Sequence, residues 1–243
     1  MRQRLMLKFL VSVSGIGVRE KLFGILLPDL AVLDAELTVG LPPSVTAATG
    51  IDAMVHAIEA YTSKVKKNPL SDMLAREALR LLAANLDEAV HNGGNREARQ
   101  GMLLGALLAG QAFANALVAP VHALAYPLGG HFHIPHGLSN ALVLPAVIEF
   151  NASHAAPLYA ELAPLLVPDL KPGDADSLTA QLIEALCQLS PRSGLPNRLR
   201  DAGVPEESLP MLARDAMLQQ RLLINNPREL TEADALAIYR KAY

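Results

Sequence analysis

The rhythm of apolar and polar positions changes near Leu41-Pro42-Pro43. Before that point two short apolar runs read as strands, Phe9-Leu10-Val11-Ser12-Val13 and Leu30-Ala31-Val32-Leu33, with Pro28-Asp29 punctuating the approach to the second. After it the pattern is helical. Ser44 is the expected N-cap of a helix over residues 45–62. Asn68-Pro69 pairs a cap with proline at the first helical position, opening a helix through Leu70, Leu74, Ala78, Leu81 and Leu82 that stops near Gly93-Gly94. Asn95 caps the next helix, which ends before Pro120. A further helical turn covers residues 122–125. Pro127-Leu128-Gly129-Gly130 then forces a turn, and Ile134-Pro135 ends that loop. His136 opens a helix to about Phe150, with Pro145 as a kink or break. Beyond Asn151, helical segments are interrupted at Pro172-Gly173 and at residues 190–196, and Thr231 with Asp234 forms a capping-box start for the last helix.

These elements predict a mainly α fold, a multi-helix bundle with a short N-terminal β remnant. The division falls at residue 40: residues 1–40 as the end of an α/β domain, residues 41–243 as a nearly all-helical domain. Residues 102–119 carry no formal charge, as in a membrane span. Gln111 and Asn115 interrupt the run, and Gly101, Gly105 and Gly110 recur at small-residue spacing. The pattern is that of a central helix closely approached by its neighbours, among the most buried in the bundle. Residues 1–18 have early basic residues and then an apolar run, but no clear small-x-small cleavage site, so they do not read as a secretory signal.

Composition narrows the classes. Hydrophobic residues make up 51% of the 243, and the net charge is −3 with no basic cluster, which argues against a nucleic-acid surface. No second apolar span or aromatic belt accompanies residues 102–119, so no membrane partner is expected. The single cysteine, Cys187, has no intramolecular disulfide partner, which fits a reducing, cytoplasmic setting; its apolar helical surroundings predict a small buried hydrophobe.

The chemistry concentrates in histidine. Four of the seven, His122, His131, His133 and His136, fall within fifteen positions. Asp52 and His56 sit at i, i+4 on the preceding helix and share one face of it. One carboxylate and several imidazoles suit Fe²⁺ or Zn²⁺ better than Ca²⁺ or Mg²⁺. A lone histidine is more often an ordinary core residue, and spacing alone does not choose among the loop histidines.

Three stretches together carry a resemblance: Thr49-Gly50-Ile51-Asp52-Ala53-Met54-Val55-His56, the run Val121-His122-Ala123-Leu124-Ala125-Tyr126-Pro127-Leu128-Gly129-Gly130, and Ile134-Pro135-His136-Gly137. They resemble the iron-containing (group III) alcohol dehydrogenases, with residues 28–38 and 225–243 similar to flanking segments of that family. The resemblance implies a dehydroquinate synthase-like helical domain and a metal held by Asp52, His56, His122 and His136. It further implies Fe²⁺, or in some members Zn²⁺, and hydride transfer between a small alcohol or aldehyde and NAD(P), in a homodimer. Many members carry a histidine four residues after the first loop ligand, near the substrate; here that position is Tyr126, a weaker base, to which the catalytic role passes. His131 and His133 are the alternative relay residues. The family's glycine-rich dinucleotide turn has no counterpart here, so the chain resembles a member with a truncated cofactor domain.

Two other functions fit the residues. One is a metal-dependent hydrolase on a helical scaffold, which would want more carboxylates and a basic phosphate clamp than Glu59 and the Lys64, Lys66 and Lys67 turn supply. The other is a non-catalytic metal-binding helical domain.

Overall fold

The computed structural model describes residues 30–243. Helices α1 (Pro43–Tyr61), α2 (Pro69–His91) and α3 (Arg96–Ala116) are followed by α4 (Pro120–Phe132) and the long α5 (His136–Leu166). Then come α6 (Ala175–Arg192), α7 (Leu209–Ala216), the single turn α8 (Gln220–Leu223) and α9 (Glu232–Ala242). No strand forms among the described residues. The first expected strand lies outside them. The second, at residues 30–33, has no regular structure, and Leu30 and Val32 stand exposed with no strand among the described residues to pair them.

Local chemistry sets most helix starts. Asn68 accepts from the Ser71 N–H at 3.0 Å and Ser71 Oγ accepts from the Asn68 N–H at 3.3 Å, a reciprocal box with Pro69 at the first position. Asn95 and Asp174 cap α3 and α6 through a side-chain oxygen that accepts from the N–H three residues on, and Thr231 with Asp234 forms a second reciprocal box at α9. α1 departs from expectation: Pro43, not Ser44, opens it, because Pro42-Pro43 already presets the backbone and proline loses no bond at the first position.

α2 and α3 form a helical hairpin against α1, while α5 packs on α1, α4 and α6, and α7 and α9 close the other side. The α2–α3 approach is close because Cβ atoms on Gly101 and Gly105 would fall 2.4 Å from the Asn85 amide and 2.8 Å from Leu82. Gly110 faces open space. α3 is less buried than its composition predicts: its covered stripe is Ala98, Arg99, Gly105, Ala109, Ala112 and Ala116, while Leu104 is exposed. The deepest packing lies instead in α1, α2, α4 and α5, through Ile51, Met54, Ile58, Leu79, Leu82, Leu86, Leu124, Leu128, Leu144 and Ile148. α5 is long and apolar enough to cross a membrane, but much of it is buried among its neighbours.

Two further expectations are corrected. Pro127-Leu128-Gly129-Gly130 makes no turn; α4 runs through all four and ends at His133 in the left-handed conformation, φ 55°. α5 likewise continues through Pro145, Pro157 and Pro164. An interior proline costs about 3 kcal/mol, which the burial of several large side chains per turn outweighs. Cys187 is exposed, because the buried stripe of α6 is Thr179, Leu182, Leu186 and Leu189, and position 187 points off it.

Candidate metal centre

Three helices converge on one point. α1 contributes Asp52 and His56 one turn apart. α4 contributes His122 in its first turn, and α5 contributes His136 at its first position and Asn140 one turn later. Asp52, His122 and His136 each offer a ligand atom, all within 4.8 Å of one another. His56 joins them, its Nε2 standing 3.1 Å from His122 Nε2. The four residues are thus brought together. His131 is not part of the group; its Nε2 pairs with Asp215 on α7 at 2.5 Å. His133 is the exposed C-cap of α4. Tyr126 flanks the centre, its ring 5.9 Å from that of His136 and edge-on to His122 at 6.5 Å.

The surroundings bear on whether a cation fits. The Asn140 amide nitrogen sits 2.5 Å from Asp52 Oδ1, 3.2 Å from His136 Nε2 and 3.3 Å from His122 Nε2. An amide has two protons, one fewer than the acceptors around it. Its own oxygen, Oδ1, is buried without a hydrogen-bond partner among the described residues. A cluster of lone pairs held together by a single amide is a poor neutral arrangement, and a divalent cation satisfies all of its members at once. One carboxylate with three imidazoles is a donor set suited to Fe²⁺ or Zn²⁺.

Electrostatics agree for Asp52, His56 and His136. Burial pushes the His56 imidazole down to about 4, against the pull of Asp52, so its lone pair is free at neutral pH. Burial also lowers His136. Burial works to raise the Asp52 carboxyl, but His56, His122 and His136 outweigh it and hold it below the ordinary range, ionised. For His122, burial acts downward and is overcome by Glu59 beside Nδ1, leaving the imidazole above its ordinary value. Burial raises the Tyr126 phenol, keeping it protonated and able to donate.

Asn140 has no role in the sequence pattern, and Glu59 enters it only as a further carboxylate near the motifs. Glu59 sits at i+7 from Asp52, on the same face of α1, which is the signal that could have identified it. Asn140 lies one turn after His136 and could have been found in the same way.

The family model for the C-terminal part of the Fe-containing alcohol dehydrogenases matches residues 46–243. Long-chain-alcohol dehydrogenase 1 of Geobacillus thermodenitrificans is 46% identical over 218 residues, covering 90% of this chain and 55% of its own length. A crystal structure of 1,3-propanediol oxidoreductase superposes with a TM-score of 0.83 at 41% identity, over 86% of this chain and 55% of that one. Sulfoacetaldehyde reductase from Bifidobacterium kashiwanohense, solved in complex with NAD+, matches at a TM-score of 0.77 and 30% identity, over 88% of this chain and 54% of that one. The chain spans about half the length of the relatives it matches. On the family match and the helical architecture together, this chain belongs to the iron-containing alcohol dehydrogenase family, whose C-terminal helical part it carries.

Proposed function

We propose that this chain is the metal-holding part of an NAD(P)-dependent dehydrogenase that interconverts small alcohols and aldehydes. Asp52, His56, His122 and His136 are its ligands to one divalent ion, Fe²⁺ or Zn²⁺. The observation that carries the reading is the convergence of three helices on Asp52, His122 and His136 within 4.8 Å, with His56 adjoining. When bound, such an ion is a Lewis acid that stabilises the alkoxide form of an alcohol and polarises an aldehyde carbonyl. The chain's own residues supply the rest. Ionised Asp52 offsets the ion's charge, and neutral His56 and His136 offer lone pairs without proton loss at neutral pH. Tyr126, protonated and beside His136, can donate a hydrogen bond to a substrate oxygen at the centre's edge. Phe113, its ring 5.1 Å from that of His56, helps exclude water on the α3 side.

The division at residue 40 belongs to the same reading: residues 41–243 as the metal-binding domain, residues 1–40 as the end of a cofactor-binding domain. The sulfoacetaldehyde reductase solved with NAD+ supports a nicotinamide cofactor, and the alcohol dehydrogenases among the relatives support a small alcohol or aldehyde substrate. The test is metal content. Anaerobically purified chain should carry one Fe²⁺ or Zn²⁺, and His122→Ala or His136→Ala should lose stoichiometric metal by mass-spectrometric analysis. Full retention in either variant removes that residue from the set.

A further inference from the structure

The carboxylate of Glu59 is buried in α1, 3% exposed, on the side of His122 away from the metal centre. It accepts three hydrogen bonds: from the Ala119 N–H at 3.0 Å, the Val121 N–H at 2.7 Å and His122 Nδ1 at 2.7 Å. Burying a carboxylate is costly unless its oxygens are satisfied. Here every donor comes from one place, the start of α4.

That start needs an outside acceptor. The N-cap residue, Ala119, has no side chain able to cap. Pro120 has no N–H, and the Val121 N–H lies too early for a helical bond. The segment leading in is strained: Leu117 has φ 64° and ψ 154°, a conformation nearly reserved for glycine. Such strain persists only where the surroundings over-determine it. Two groups do so here, Glu59 at Ala119 and Val121, and Asn225, whose amide donates to Val118 O at 3.0 Å. Glu59 therefore caps α4 from a different helix, with its negative charge at the positive end of the helix dipole.

The same oxygen that accepts from Ala119 also accepts from His122 Nδ1. A carboxylate there fixes the proton on Nδ1, so Nε2 presents its lone pair toward Asp52, His56 and His136. Backbone placement and imidazole tautomer are set by one group. We infer that Glu59 is a positioning residue that locks both the start of α4 and the Nδ1–H tautomer of His122, so that His122 offers Nε2 to the metal. This rests on the metal-centre reading above.

The test uses the full chain and Zn²⁺ alone, titrated against a chromophoric chelator. Glu59→Gln keeps the shape but turns one acceptor into a donor. It should weaken zinc binding 10- to 100-fold, the usual loss when such an outer partner is removed. Tyr239→Phe is the control: Tyr239 donates to Leu124 O on α4 at 2.6 Å and hydrogen-bonds to none of the four proposed ligands. It should lower the unfolding midpoint while leaving zinc affinity within about two-fold of wild type. Nitrogen chemical shifts of His122 in the zinc-loaded wild type should show zinc on Nε2 and a proton on Nδ1. This measurement does not depend on how any variant folds. Zinc on Nδ1, wild-type affinity in Glu59→Gln, or an equal loss in Tyr239→Phe overturns the inference. Failure of the wild type to bind zinc strikes instead at the metal-centre reading.

Discussion

His56 shows how a single side chain can carry both function and pH sensitivity. Its spacing from Asp52 made it visible in sequence, because i, i+4 on a helix is a geometric statement. Its burial was not visible, since that depends on α3 and α4 closing over it. With its imidazole at about 4 in the folded chain against 6.5 ordinarily, the unfolded chain binds the proton more tightly. The stability from a neutral buried His56 is therefore complete above pH 6.5 and is lost as the pH falls through 4. Between pH 7 and pH 4.5 the loss is roughly 2–3 kcal/mol. Urea unfolding of metal-free chain should show it, and His56→Asn should lose correspondingly less over that interval. Equal losses would mean that His56 does not sit neutral in the fold. Glu59 and Asn140 stayed hidden for a related reason: an acid or amide inside an apolar helix announces a partner but not which one. Cys187 stands exposed because apolar neighbours in sequence do not place a residue on the covered stripe of a helix, which here runs through Leu182, Leu186 and Leu189.

Helix starts with a capping side chain were legible, at Asn68, Asn95 and Thr231, because one residue and its partner three positions on decide them. Helix ends signalled by proline and glycine were not. Pro127 and Gly129-Gly130 would break an isolated helix, yet α4 continues because Val121, Leu124 and Leu128 are buried on α5 and α7. One glycine nevertheless bears on the candidate centre. Gly137 follows the proposed ligand His136 at the start of α5, and a Cβ there would stand 2.3 Å from Ala48 O and 2.6 Å from Ala48 C. Those are backbone atoms of α1, the helix that carries Asp52 and His56, and they cannot swing aside. Gly137→Ala should force α5 off α1, lowering stability by about 1–3 kcal/mol and weakening metal binding by moving His136 from its partners. Calorimetric unfolding and zinc titration read the two effects. Unchanged values for both would show that the helices part without cost.

At the scale of the molecule, the candidate metal centre lies near the edge of the bundle. The Asp52 and His136 side chains are 15% and 32% exposed, whereas His122 on the inner side is 1% exposed. On the proposed function, substrate and nicotinamide approach from outside the described helices, past Asp52, His136 and Tyr126. Hydride transfer needs the donor and acceptor carbons held about 3–3.5 Å apart, and such positioning can account for many orders of magnitude in rate. Dinucleotide phosphates are held by backbone N–H groups at a glycine-rich turn leading into a helix. No G-x-G-x-x-G occurs in the 243 residues. The all-helical architecture was legible because amphipathic periods and caps agree along residues 41–243, and the clustering of Asp52, His56, His122 and His136 through their match to a family pattern. The cofactor's place was not, because it depends on groups outside the bundle. A polypeptide of these 243 residues should bind one metal ion, bind NADH only weakly and reduce small aldehydes very slowly. Calorimetric titration with NADH and a steady-state assay on the metal-loaded chain test this. Micromolar NADH affinity with ordinary turnover would show that these residues build a dinucleotide site without a glycine-rich turn.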